Sequence, residues 1–208
     1  LDLLKDRETA LYFERGNDLL FKMRYAPTAN FMAQNQKDFI SLGGYGTSCM
    51  FTDELANSRT HGFRYKSIHL SEFWFTENHQ GIPDKVYRKF QMSVRQLKQR
   101  WESKLPEKIK LKKDNDEFWV VHMVSPNTDM DKNRLDYHGM DFYSCYILED
   151  DAVVLEEGGF TSFPYAISRY DQFGKELYGR SPAMMVFPSI RTLMEQKKSV
   201  LKSAHRQV

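Results

Sequence analysis

The chain has 208 residues, of which 41% are hydrophobic and 14% aromatic. It is therefore long and apolar enough for a packed core, which excludes a disordered region. The formal net charge of +2 and the mean hydropathy of −0.62 favour neither nucleic acid nor a membrane as a partner of the whole surface. The two cysteines are too few for a disulfide framework, which favours a reducing, intracellular setting. No apolar run reaches the roughly 20 residues of a membrane span, so no membrane partner is expected.

Helical patterns fill the first 44 residues. Residues 2–26 carry one broad apolar face, with Gly16 as a possible break in the middle and Pro27 as the end. A second helix is predicted from near Thr28 to the pair Gly43-Gly44. A strand from Tyr45 to Phe51 follows.

The middle of the chain is rich in strands. Ser93 and Gln96 have the spacing of a capping box, which predicts a short helix there, and Pro106 opens a second, basic piece. We interpret Phe73-Trp74-Phe75 as a core segment, with contact to a neighbouring subunit as the weaker alternative. The predicted strands are 63–70, 73–76, 86–90, 118–124, 142–149, 152–155 and 160–170. Helices first, sequential strands next and one closing helix indicate an α+β fold with a mostly antiparallel sheet.

The closing helix has the clearest signals. Ser181 is a good N-cap and Pro182 suits the first helical position, while Pro188 inside the pattern leaves open whether the helix is kinked, split in two or continuous. Apolar residues recur at three- and four-residue spacing to Val208. Five basic residues, which include Lys197, Lys198, Lys202 and Arg206, stand against the single acid Glu195. The pattern stops without a cap and the chain starts at Leu1, so we interpret the sequence as a segment of a longer protein.

Catalytic and metal-binding patterns are absent from the sequence. The six histidines and two cysteines lack zinc-site spacing, and Asp129 to Asn133 departs from a calcium loop at Arg134 and Met140. Gly43 to Gly46 follows a helix and precedes a strand, the reverse of a phosphate-binding loop. The basic run from Lys104 to Lys113 is interpreted as a solvated face, with nucleic-acid contact as the weaker alternative. We expect no enzyme, no cofactor and no metal.

Several stretches resemble the head-to-tail connector (portal) proteins of short-tailed bacteriophages. They cover most of the chain, and none is a catalytic signature. The resemblance lies in Arg24–Pro27, Gly43–Thr47, Gly62–Glu72, Glu77–Gly81, Val86–Phe90, Tyr178–Ala183, Pro188–Leu193 and Lys197–Leu201.

The resemblance implies a homo-oligomeric ring, commonly of twelve subunits, at one capsid vertex. Double-stranded DNA passes through such a ring, which meets the terminase motor, the capsid and tail adaptor proteins. It implies a virion protein that assembles in the host cytoplasm. On this map residues 1–180 are a wing-like domain and residues 181–208 are the first stem helix, cut before the clip.

Two sets of residues become candidates under this interpretation. Gly179, Arg180, Ser181 and Pro182 form the start of the stem helix. Lys197, Lys198, Lys202 and Arg206 are the candidate residues facing the DNA channel. The alternative is a stand-alone protein-interaction or adaptor domain that shares the wing fold and has no channel.

Overall fold

The structure is a computed structural model that describes residues 6–55 and 62–206, and it confirms the α+β prediction. The chain divides into two compact units. The helical unit comprises the described parts of Leu1–Met50, Glu54–Ser67 and Ile167–Val208. The sheet unit comprises Phe51–Asp53 and Ile68–Ala166. The predicted division at residue 180 into wing and stem stays a prediction.

The helical unit begins with two helices whose bounds differ from the prediction. Helix α1 runs over Arg7–Arg24, with Gly16 in an unbroken interior, so the possible break at this residue is not formed. Asp6 caps it by accepting from the Thr9 N–H, and the predicted residues 2–5 lie outside the described part of the chain. Helix α2 runs over Phe31–Tyr45, so neither Gly43 nor Gly44 ends it. It ends at Gly46, whose φ of 80° is the left-handed conformation that favours glycine at this position.

A three-stranded sheet has the order β2-β1-β8. Its strands are β1 (Thr47–Glu54), β2 (Phe63–Ile68) and β8 (Tyr165–Arg169). The predicted start of the first strand at Tyr45 is wrong because that residue still belongs to α2. The predicted last strand from residue 160 is also too long. Phe160 pairs with Phe142 and so ends the preceding strand, and β8 starts only after Pro164.

The sheet unit contains an antiparallel meander of five strands. It has the order β3-β4-β5-β6-β7, so every strand pairs with its neighbour in the sequence. The strands are β3 (Phe73–Glu77), β4 (Pro83–Ser93), β5 (Glu117–Pro126), β6 (Phe142–Leu148) and β7 (Val153–Phe160). Phe73 and Phe75 are buried in agreement with the prediction, whereas Trp74 is half exposed because successive strand residues face opposite sides.

Two short helices cover one region of this sheet. The capping box at Ser93 and Gln96 is formed and starts α3 (Val94–Trp101), and α4 (Glu107–Lys110) follows. Val94, Leu97 and Ile109 are fully or almost fully buried against Val120 and Leu148 of the sheet. This cluster is the hydrophobic core of the sheet unit.

The last element is helix α5, Pro182–Arg206, which is 25 residues long. Pro188 lies inside it, so the helix is not split at this residue. None of its residues is buried. A helix with no buried residue leaves its apolar side chains without the packing that normally stabilises helices in water. Within the described residues, no helix is long and apolar enough to cross a bilayer.

Candidate functional site: helix α5 and its anchor

Ser181 joins the start of α5 to the end of α2. It is fully buried, and its hydroxyl donates to the Gly44 carbonyl at 2.8 Å. The same oxygen accepts from the Met184 N–H at 3.0 Å, which makes Ser181 the N-cap of α5. Pro182 follows at the first helical position, where its missing N–H leaves no hydrogen bond unmade. One hydroxyl therefore caps one helix while it binds the last turn of another.

Gly179 and Gly46 bring two backbone segments into close contact beside this cap. The Gly179 N–H donates to the Thr47 hydroxyl at 2.8 Å, and the Gly46 carbonyl accepts from the Tyr170 N–H at 2.9 Å. A Cβ on Gly179 would lie 2.3 Å from the Gly46 oxygen, and one on Gly46 would lie 2.4 Å from the Gly179 oxygen. Neither position has room for a side chain.

Arg180 holds the loop that leads into the helix. Its guanidinium makes two hydrogen bonds to the Glu176 carboxylate and lies 5.0 Å from the centre of the Phe173 ring. The Arg180 N–H donates to the Asp171 carbonyl at 2.7 Å. The hydrogen bonds from Arg180 lower the pKa of Glu176. The four candidate residues at the start of the helix, Gly179 to Pro182, thus lie in one anchor that fixes where α5 begins.

Replacing Ser181 with alanine is expected to cost about 2 kcal/mol of unfolding free energy, since it removes both the cap of α5 and the hydrogen bond to the Gly44 carbonyl. Ser199→Ala is the matched control, because the exposed Ser199 hydroxyl donates only to the Glu195 carbonyl of its own helix. That change should stay within about 0.5 kcal/mol. Urea unfolding followed by circular dichroism measures both. Equal losses in the two variants would show that the anchor contributes nothing special.

Helix geometry divides the exposed surface of α5 into faces. At roughly 100° per residue, Arg191, Lys198, Lys202 and Arg206 fall on one side, here called the basic face. About 120° away lies the apolar face. It consists of Val186, Ile190, Leu193, Met194, Leu201 and Ala204.

The geometry separates the four candidate channel residues. Lys198, Lys202 and Arg206 lie together on the basic face. Lys197 does not join them, because it lies in the middle of the apolar face, between Met194 and Leu201. All four are exposed. The continuous basic stripe therefore contains three of the four predicted residues together with Arg191.

The sheet unit holds a buried polar row that the sequence interpretation missed. His122, fully buried on β5, is paired across the sheet with Arg88 on β4 and Tyr146 on β6. Its ring stacks on that of Tyr146 with centroids 3.9 Å apart. The Nδ1 atom lies 2.6 Å from the Tyr165 hydroxyl, and Nε2 lies 2.9 Å from the Ser144 hydroxyl.

Charged side chains lie next to this row. The Arg88 guanidinium binds the Glu72 carboxylate at 2.9 Å, and Arg100 of α3 lies 4.5 Å from the centre of the Tyr146 ring. Burial, followed by the charges of Arg88 and Arg100, lowers the pKa of His122 well below its ordinary value. A neutral, fully hydrogen-bonded and inaccessible imidazole is a core residue. The signal in the sequence was its inward position between Val120 and Val124 in an alternating strand.

Residues 6–55 and 62–206 contain no group of three or more His, Cys, Asp or Glu side chains placed to hold a metal ion. Cys49 and Cys145 are free thiols, and both are buried. The main feature is instead a long exposed helix, α5, whose first residues are hydrogen-bonded to residues more than 130 positions earlier in the chain.

A family model described as "Bacteriophage head to tail connecting protein" matches residues 23–208, which includes the anchor and all of α5. The chain belongs to this family. The chain is also similar to two curated phage proteins. It is 28% identical over 170 residues to the "Portal protein" of Salmonella phage epsilon15, which covers 77% of this chain and 30% of that protein.

The second relative is the "Probable portal protein" of Bordetella phage BPP-1. The identity is 28% over 140 residues, or 64% of this chain and 25% of the relative. The chain thus spans less than a third of the length of the curated relatives it matches.

Proposed function

We propose that this chain is part of a phage portal subunit that forms a ring at one capsid vertex, through which double-stranded DNA is packaged and ejected. The observation that carries the proposal is the family match over residues 23–208. The exposed, face-segregated helix α5 supports it, because a ring subunit needs a helix that is apolar where neighbours pack and polar where it faces a channel.

The proposal assigns residues 1–180 to the wing and residues 181–208 to the first stem helix. The ring is homo-oligomeric, with twelve subunits as the expected number, and its partners are the terminase motor, the capsid and tail adaptor proteins. It resides in the virion and assembles in the host cytoplasm. Its role is structural, without catalysis.

Electron microscopy of the full-length product tests the proposal. A ring with a central hole is the expected result. The alternative, an interaction or adaptor domain without a channel, predicts particles with no hole at any protein concentration. Such particles would overturn the portal function while leaving the family membership intact.

The basic face supplies the second test, which concerns DNA. Lys198→Gln, Lys202→Gln and Arg206→Gln together should reduce DNA packaging several-fold and leave ring assembly intact, because a line of cations contacts the phosphate backbone through charge. Lys197→Gln alone is the comparison, since Lys197 lies on the apolar face. Packaged DNA per particle is the measurement. Normal packaging by the triple variant would place the basic face against solvent or a neighbour.

A further inference from the structure

The sheet unit carries a basic surface that the proposed function does not use. Between residues 95 and 113, eight basic side chains stand against two acids, in a chain whose formal net charge is +2. The sequence pattern alone favours a solvated face for the part of this run that begins at Lys104. The fold shows which of the cations are already neutralised and which of them lie together.

Three of these eight cations are neutralised by ion pairs with distances of 2.8 to 3.0 Å. The pairs are Lys98–Asp114, Lys110–Glu107 and Arg100–Glu156. In the described part of the chain the other five have no ion-pair partner, and all five are exposed. We call these five the α3–α4 basic surface: Arg95, Lys104, Lys108, Lys112 and Lys113.

Backbone hydrogen bonds hold the turn after α4 against the first turn of α3. The Val94 N–H donates to the Asp116 carbonyl at 2.9 Å. The Arg95 N–H donates to the Asp114 carbonyl at 3.2 Å. Lys113, which directly precedes Asp114, therefore lies beside the first turn of α3, where Arg95 is exposed. The fold thus adds a cation of α3 to the basic run of the sequence.

Helix α4 places Lys108 and Lys112 on one side. Ile109 is buried in the core of the sheet unit, which fixes the rotation of the helix. The Lys112 N–H donates to the Ile109 carbonyl at 3.0 Å, so the helical turn continues through Lys112. Residues four apart in a helix lie on the same side, with Cβ atoms roughly 6 Å apart. Lys108 and Lys112 are therefore neighbouring cations that face solvent.

The acids around this surface leave it positive. Of the five acids between residues 95 and 117, two belong to the ion pairs given above. The carboxylate of a third, Asp116, accepts from the Lys113 N–H at 3.2 Å. Glu102 and Glu117 remain. The five unpaired cations thus outnumber the acids that are not in ion pairs.

The composition of this surface suits a polyanion better than a protein. A protein interface has an apolar centre. Leu111, which is 86% exposed, is a single apolar side chain among these cations. Lysine and arginine side chains without partners neutralise phosphates through charge, and this contact needs no pocket. A DNA duplex offers the densest such target, with one charge per roughly 1.7 Å of its axis.

We propose that the α3–α4 basic surface binds the phosphate backbone of double-stranded DNA, independently of base sequence. The proposed function brings DNA to the basic face of α5, which belongs to the helical unit. This is a second contact, in the sheet unit, and it requires neither the ring nor α5.

Salt-dependent binding tests the proposal. A labelled duplex of about 30 base pairs is titrated with the full chain between roughly 50 and 200 mM salt, and its fluorescence anisotropy is measured. The variant K108Q/K112Q/K113Q should bind at least roughly tenfold more weakly at the lowest salt concentration. The slope of log Kd against log salt should fall by about 2 to 3, because each lost phosphate contact removes about 0.9 from it.

A matched control removes the same charge elsewhere. The variant K22Q/K37Q/K175Q changes three exposed lysines of the helical unit and should keep the duplex affinity to within about twofold. All proteins in the comparison also carry the three Gln substitutions on the basic face of α5, so that this helix does not contribute. The substituted lysines are exposed, and circular dichroism checks that the fold is retained.

Poly-glutamate separates DNA from an acidic protein segment as the partner. Its charges lie farther apart than those of a duplex, so it should displace the labelled duplex only at a charge concentration at least roughly tenfold above that of unlabelled DNA. Displacement at equal charge concentration would assign the surface to an acidic protein and overturn the proposal. Leu111→Ser should leave the duplex affinity within about twofold, because phosphate contacts do not use this side chain.

A weaker affinity and a smaller salt slope confined to K108Q/K112Q/K113Q support the DNA contact. Equal losses in this variant and in the control variant, or no loss in either, overturn it. Neither result bears on the portal function, because that proposal rests on the family match and is tested by the presence of a ring.

Discussion

Replacing Gly179 with alanine is expected to destabilise the helical unit by about 3 kcal/mol or more. The added Cβ would lie 2.3 Å from the Gly46 oxygen and 3.0 Å from the Arg169 Cβ. Because the nearer atom belongs to the backbone, relief requires the two segments to separate. That movement breaks the hydrogen bond from the Gly179 N–H to Thr47. Overpacking of this kind costs typically 1–3 kcal/mol, and the broken buried hydrogen bond adds to it.

Gly43→Ala is the matched control for this prediction. Gly43 lies inside α2, and a Cβ there meets nothing within 4 Å. Alanine in a helix interior is favoured over glycine by roughly 0.5–1 kcal/mol, so this variant should be slightly more stable. Urea unfolding measures both changes. If the two Gly→Ala changes shift the free energy of unfolding in opposite directions, the backbone contact at Gly179 decides the effect, and not the loss of a glycine. A Gly179→Ala variant as stable as the unaltered protein would refute the close approach.

Replacing His122 with alanine is expected to cost about 3 kcal/mol. The change opens a cavity in the sheet unit and leaves the hydroxyls of Tyr165 and Ser144 without the ring nitrogens that they contact. His79→Ala is the control, since His79 is exposed, and should stay within about 0.5 kcal/mol. Thermal or urea unfolding at pH 7.5 is the measurement. Similar effects of the two changes would contradict the buried role of His122.

The same residue predicts a dependence on pH. The pKa of His122 in the folded state is held well below its ordinary value by burial, and then by Arg88 and Arg100. In the unfolded chain His122 therefore binds a proton near pH 6.5, whereas in the folded state it stays neutral at this pH. The contribution of His122 to the free energy of unfolding is complete above pH 6.5. It falls as the pH drops, by up to about 1.4 kcal/mol per pH unit. His122→Gln removes this contribution, so its stability should fall less steeply between pH 6.5 and 5; parallel curves would exclude His122 as the cause.

The sequence predicted best those features that depend on neighbouring residues. The capping box at Ser93 and Gln96 acts over four residues, and the alternating strands of the meander each pair with the next strand along the chain. The end of α2 was placed wrongly at Gly43-Gly44, because a glycine inside a helix costs only about 1 kcal/mol. The actual end lies at Gly46, where the left-handed backbone is held by residues that follow more than 120 positions later.

Long-range features of the site were the ones that the sequence could not give. The position of His122 between Val120 and Val124 in an alternating strand favours the inward face, but this pattern does not show how deeply the ring is buried. Only the packing of Phe51, Tyr146 and Tyr165 around His122 shows that its ring is fully buried. The basic residues of α5 were found from composition. Their division between two faces follows from the helical period over Arg191 to Arg206, which composition alone does not show.

The anchor of α5 also sets the order in which the molecule can form. The hydrogen bond between Gly179 and Thr47 closes a loop of 132 residues, and bringing such distant segments together costs about 4 kcal/mol of chain entropy. During synthesis, α1, α2 and the whole sheet unit emerge before Gly179 does. Until then, the Gly44 and Gly46 carbonyls lack the donors that later come from Ser181 and Tyr170. The direction of α5 is consequently fixed only after α1, α2 and the whole sheet unit have been synthesised.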